Sequence, residues 1–141
     1  RGVKPKDRVA VCLPNGVELA ALYFCALDLN FTIIPLNMNL NRHELTTIGR
    51  SSRSSFLILS PLTEAYLGPL SETLKIIRLP EKKLLDDSDD VAMSKWGGAM
   101  DDIFSVIYTS GTTQMPKGVA HRYESLFQNA SSFIEALGIT S

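Results

Sequence analysis

The sequence predicts an α/β fold with mostly parallel sheet layers flanked by helices. Short apolar runs rich in β-branched residues alternate with longer stretches of helical period. Several of the short runs are apolar without interruption, as strands buried on both faces are. Helix-capping residues and prolines stand between the runs and punctuate them. With 141 residues, 45% apolar and 21% charged, the chain has room for one compact domain with a real core.

Residues 9–13 form an apolar run closed by Pro14 and read as a buried strand. Asn15 offers an N-cap oxygen with Glu18 three residues on, and an apolar stretch over residues 17–29 follows. That helix is apolar nearly all round, which predicts burial on more than one side. Residues 31–36 are the next strand. The cycle repeats with Asn41 and Glu44 as cap signals, Leu45 and Ile48 as a weaker apolar stripe, and residues 56–59 as a strand before Pro61. A short helix is placed over residues 63–67 and a further strand over 74–79, closed by Pro80. Near residues 81–98 the composition turns charged and small, with Asp86, Asp87, Asp89 and Asp90, and no period of either kind survives. This is a solvated connection between two sub-sections of one sheet system, and it lacks the EF-hand spacing. Residues 103–108 are a strand, 109–116 a polar loop, 118–121 a short strand and 124–137 a helix, with Gly138 at the left-handed C-terminal position.

Acidic and basic residues nearly balance, 15 against 14, for a net charge of −1, so neither nucleic acid nor an anionic membrane is expected as partner. The longest nearly unbroken apolar run, residues 19–27, falls short of the ~20 residues needed to cross a bilayer, and no transmembrane segment is expected. Residues 1–7 have neither an initiator methionine nor the layout of a signal peptide, and the chain reads as part of something longer. Cys12 and Cys25 lie in apolar runs without metal-ligand spacing. Buried free thiols in a reducing compartment, cytoplasmic or inside an organelle and not secreted, follow from that usage.

The segment that carries chemistry is Tyr108-Thr109-Ser110-Gly111-Thr112-Thr113-Gln114-Met115-Pro116-Lys117-Gly118-Val119. Hydroxyls, a glycine and a lysine are packed into a turn directly after an apolar strand, where open α/β sheets bind ligands. Hydroxyls and free backbone N–H groups can donate to phosphate oxygens, and lysine adds a mobile positive charge. The alternative is a hairpin-like loop of turn formers. A Walker A loop needs Gly-Lys-Ser/Thr opening a helix, whereas here Pro116 precedes Lys117 and the chain continues as strand.

The run from Thr109 to Val119 resembles the phosphate-loop signature of the adenylate-forming enzymes, the superfamily of acyl-CoA synthetases, luciferases and nonribosomal peptide synthetase adenylation domains. A second stretch, Gly2 to Val11, then Leu13-Pro14-Asn15, Glu18 and Pro35-Leu36-Asn37, is similar to the early part of the same large N-terminal domain, in the same order. The resemblance implies a partial AMP-binding domain over residues 1–141. It implies a carboxylic acid:CoA ligase that forms an acyl-adenylate from ATP, with Mg²⁺, and then an acyl-CoA. The partners implied are a small carboxylic acid, ATP and coenzyme A. On this resemblance Thr109, Ser110, Gly111, Thr112, Thr113 and Lys117 hold the β- and γ-phosphates, with no catalytic residue and no metal ligand among the residues present.

Gln114 stands where the family usually has glycine, which implies a strained turn and looser phosphate binding. The family often has a histidine at the position of Tyr123. That histidine's substrate-pocket role transfers neither to Tyr123 nor to His121, which reads as an ordinary surface residue, and Trp96 reads as a packing residue. The family's adenine-binding motif with its magnesium-binding glutamate, its ribose-binding aspartate and its C-terminal lysine have no counterpart in these residues. Two alternatives therefore stand beside the ligase: a truncated non-catalytic interaction module, and an adenylation domain of a peptide synthetase or luciferase-like enzyme.

Overall fold

A computed structural model describes residues 2–67, 74–79, 97–109 and 116–139. Ten elements follow in order: β1 (Arg8–Cys12), α1 (Val17–Leu29), β2 (Thr32–Pro35), α2 (Arg42–Ser51), β3 (Phe56–Leu59), α3 (Pro61–Leu67), β4 (Lys75–Arg78), β5 (Ile103–Thr109), β6 (Lys117–Arg122) and α4 (Tyr123–Leu137). The strands form one sheet in the order β4-β3-β1-β2-β5-β6. All neighbours are parallel except β5 and β6, an antiparallel hairpin at one edge.

Alternation along the strands divides the core in two. Val9, Val11, Ile33, Phe56 and Ile58 meet α1 and α4, while Ala10, Cys12, Ile34, Leu57 and Leu59 meet Leu45 and Ile48 of α2. The connection through α1 steps from β1 to β2, and the one through α2 returns past β1 to β3. Right-handed crossovers in opposite directions put α1 and α2 on opposite faces, and β1 is buried on both.

The α2 capping box forms as expected: Glu44 N donates to Asn41 Oδ1 at 3.0 Å, and Asn41 N donates to Glu44 Oε2 at 2.8 Å. The Asn15 cap does not form. Ala20 N donates to Gly16 O at 3.1 Å, so the first turn of α1 closes on Gly16 and Glu18 falls one position short of the box. α1 ends on Asn30 in the left-handed region (φ 52°), a conformation that asparagine tolerates.

The predicted burial of α1 on more than one side is corrected too. Leu19, Leu22, Tyr23, Ala26 and Leu27 pack inward, but Val17 is 59% and Phe24 61% exposed. No further layer covers that side among the described residues. Cys12 is buried as expected, whereas Cys25 is exposed. α3 starts at Pro61, earlier than its period suggested, because Ser60 and Thr63 exchange side-chain and backbone hydrogen bonds of 2.9 and 3.2 Å and proline suits the first helical position. Gly138 adopts the left-handed C-terminal conformation (φ 62°). The charged connection near residues 81–98 and Trp96 fall largely or wholly outside the described residues.

Two sets of contacts hold β5 and β6 onto this frame. Tyr123, fully buried, donates its hydroxyl to Ala26 O at 3.0 Å. Its ring lies 5.2 Å from that of Phe104, which is 5.9 Å from Tyr23, so α4, β5 and α1 share an aromatic cluster. At the amino ends of the strands, Asp102 accepts from Ala99 N at 3.0 Å and Asn30 Nδ2 at 3.1 Å and pairs with Lys6 Nζ at 3.1 Å. The Ala99 amide, then Asn30 and Lys6, hold its carboxyl down at about 2.

Tyr123→Phe is expected to cost about 1 kcal/mol, one buried hydrogen bond, in denaturant unfolding. A carboxylate whose pKa is lowered by folding stabilises above its unfolded value and stops doing so as pH falls through its folded value. The melting temperature should therefore drop between pH 3.8 and about 2, and Asp102→Asn should flatten that part of the profile.

Candidate functional site at the carboxyl ends of β2 and β5

The carboxyl ends of parallel strands are where open α/β sheets take ligands, since loops there are free of the crossovers' packing. At that end of this sheet a cavity of about 140 Å³ lies between β2, β5 and α2. Pro35, Leu36 and Asn37 form one side, Leu40, Glu44 and Ile48 a second, and Tyr108, Thr109 and Pro116 the third. Small-molecule sites usually enclose ~300–1,000 Å³. At about 140 Å³ the cavity is too small to enclose a nucleotide.

The hairpin brings Thr109 and Lys117 together as register partners, with Thr109 Oγ1 donating to Lys117 O at 3.5 Å. Both side chains are exposed. Ser110, Gly111, Thr112 and Thr113, with Gln114, lie outside the described residues. Thr109 opens the cavity wall directly, and Lys117 follows Pro116, which also lines it. The expected short strand over residues 118–121 is longer, running from Lys117 to Arg122.

Inside the hairpin, Tyr108 pairs with Gly118. A Cβ on Gly118 would lie 2.9 Å from Val106 Cγ1 and 3.0 Å from Tyr108 Cζ, so only glycine lets the ring lie over β6. Tyr108 also meets Ser51 at the end of α2, hydroxyl to hydroxyl at 3.2 Å. Sequence reasoning missed this contact, because Tyr108 and Ser51 are 57 residues apart and neither belongs to a recognisable pattern.

Glu44 is the acidic group in the wall, and its carboxylate is engaged by the backbone of Asn41. Among the described residues no group of three or more His, Cys, Asp or Glu is placed to hold a metal ion. Tyr123, at the position where the related enzymes often carry histidine, is a core residue with no access to the cavity. His121 is half-buried on β6. No helix among the described residues is long and apolar enough to cross a membrane.

A mostly parallel sheet with helices on both faces and an antiparallel hairpin at one edge define an open-sheet α/β domain. The chain belongs to the AMP-binding enzyme family, which it matches over residues 1–140. It is 31% identical to the long-chain-fatty-acid–CoA ligase FadD13 of Mycobacterium tuberculosis, over 98% of this chain and 29% of that protein. It is 26% identical to the nonribosomal peptide synthetase GRA1 of Gibberella zeae, over 97% of this chain and 2% of that protein. The inhibitor-bound N-terminal domain of FACL13 from M. tuberculosis superimposes with a TM-score of 0.76 at 29% identity, covering 95% of this chain and 35% of that one. The chain thus spans about 29% of the length of the ligase it matches.

Gly118→Ala is expected to destabilise the hairpin by about 1–3 kcal/mol, the usual cost of forcing a methyl into filled space. Denaturant unfolding checks this, and a neutral substitution would mean that the Tyr108 ring does not hold its place.

Proposed function

We propose that this chain forms one wall of the ATP site of an ATP-dependent carboxylic acid:CoA ligase. The observation that carries the reading is the hairpin at the sheet's carboxyl end, whose base sets Thr109 opposite Lys117 on either side of a loop of hydroxyl residues. In the reaction a carboxylate oxygen attacks the α-phosphorus of ATP, forming an acyl-adenylate as the bond to pyrophosphate breaks. The thiol of coenzyme A then attacks the acyl carbon and displaces AMP. Thr109, Ser110, Gly111, Thr112, Thr113 and Lys117 bind the β- and γ-phosphates and orient the leaving pyrophosphate, so their contribution is positional and electrostatic. Magnesium belongs to the substrate here, arriving on the phosphates of ATP.

Hydroxyls and backbone amides suit this task because they neutralise a leaving group without binding it as tightly as a set of ion pairs would. The cavity beside the loop is too small for a nucleotide, which supports a role for this chain as one wall. Likeness to a peptide synthetase supports a second reading, adenylation of an amino acid for transfer to a carrier-bound thiol. ATP–pyrophosphate exchange against a panel of fatty, aryl and amino acids separates the two. Exchange with none of them, under conditions where a known ligase works, would favour a non-catalytic module.

Lys117→Ala is expected to weaken ATP binding about 10- to 100-fold, the size of a charge-assisted hydrogen bond, while AMP binding changes little. Titration calorimetry with the two nucleotides checks this, and equal losses for both would contradict the phosphate role.

A further inference from the structure

The loop can orient phosphates only if its base is held at a fixed angle to the sheet. β6 is an edge strand held by β5, and β5 pairs with β2 through Ile33 and Ser105, near its amino end. A β-bulge interrupts β5 between Ile103 and Ser105. Phe104 faces the α1 and α4 side, yet Val106 and Tyr108, two and four residues on, face α2. Without the bulge, strict alternation would leave Phe104, Val106 and Tyr108 on one face. The extra residue turns Tyr108 over to α2 at the last position before Thr109.

There the ring covers the backbone of Gly118, which leaves no room for a Cβ, and the hydroxyl meets Ser51 Oγ at 3.2 Å. Ser51 Oγ also lies 3.2 Å from Ile48 O, to which it can donate, so the hydroxyl pair is joined to the backbone at the end of α2. Tyr108 thus touches β6 with its ring and α2 with its hydroxyl, one residue from each phosphate-loop anchor: Thr109 follows it directly, and Lys117 precedes its partner Gly118.

We infer that Tyr108 is a positioning residue for the phosphate loop, a strut from α2 through Ser51 to Gly118 that sets where Thr109 and Lys117 stand. The part played by the loop rests on the function proposed above, whereas the strut rests on the bulge and on these contacts. Conservative variants of the full chain, Tyr108→Phe, Ser51→Ala and the double variant, test it by amide hydrogen exchange and by calorimetric binding of inorganic tripolyphosphate. Each single variant should speed exchange at residues 117–119 about threefold, as loss of one exposed hydrogen bond would, and weaken tripolyphosphate to a similar degree. The double variant should be no worse than either single one, and exchange in β1 should stay at the parent rate. Unchanged exchange at residues 117–119, or single effects that multiply in the double variant, would overturn the strut. Faster exchange in the variants, with no tripolyphosphate binding by the parent chain, would overturn the phosphate reading of the loop and leave the strut standing.

Discussion

The double-sided burial of β1 is the constraint on which the other elements depend. With parallel neighbours on both edges and helices over both faces, its residues Val9 to Cys12 have almost no contact with solvent. Every backbone group must then be paired within the sheet, because an unpaired one has no water to turn to. Pairing in turn fixes the register of β2 and β3, and so the height at which their carboxyl ends stop. Pro35 and Leu59 end at the levels of Val11 and Cys12. A one-residue slip would exchange the α1 face for the α2 face and expose both cores. The crevice between β2 and β5 inherits its depth from this central strand.

β5 is attached to that frame less by its backbone than by side chains. Thr32 Oγ1 donates to Ile103 O at 2.8 Å, Asp102 gathers Ala99, Asn30 and Lys6, and Phe104 packs at a tilt between Tyr23 and Tyr123. All of these contacts lie at the amino end of β5. Its carboxyl end is held by the pairing with β6 from Val106 to Thr109 and by Val106 and Tyr108 against the α2 side. The division gives the first half of β5 to the anchoring of the domain and leaves the second half to the hairpin with β6. It also explains why Tyr108 occupies a groove beside α2 and adds nothing to the aromatic cluster.

Much of this was legible in the sequence wherever the cause is local. The Asn41–Glu44 box and Gly138 were readable because a cap needs only residues three or four apart and a particular backbone conformation. The strands were readable because burial on both faces leaves unbroken apolar runs. Asn15 misled because the first hydrogen-bonded turn closes one residue later, on Gly16, a weaker but tolerated cap. The burial of α1 was overestimated because apolar composition reports what a helix can cover, and only packing decides which sides are covered. In the candidate site, the loop motif drew attention to Thr109 and Lys117, and the hairpin makes them register partners. The Tyr108–Ser51 contact was not, since a bulge leaves no compositional mark and reverses the face of every residue after it.

The placement of helix ends bears on the phosphate reading proposed for the hairpin. Nucleotide phosphates are often set on a helix N-terminus, where free N–H groups and the dipole supply positive potential. α4 cannot serve, because β6 runs antiparallel to β5 and delivers Tyr123 to the far end of the sheet, where its amide donates to Asp102 O at 3.2 Å. α2 does set Glu44 of its first turn in the cavity wall, and the capping box places that carboxylate at the positive end of the helix. An anion approaching that turn meets a carboxylate. On the function proposed above, the positive potential at the cavity falls to Lys117, which follows Pro116 of its wall, and so depends on how firmly the hairpin base holds that lysine.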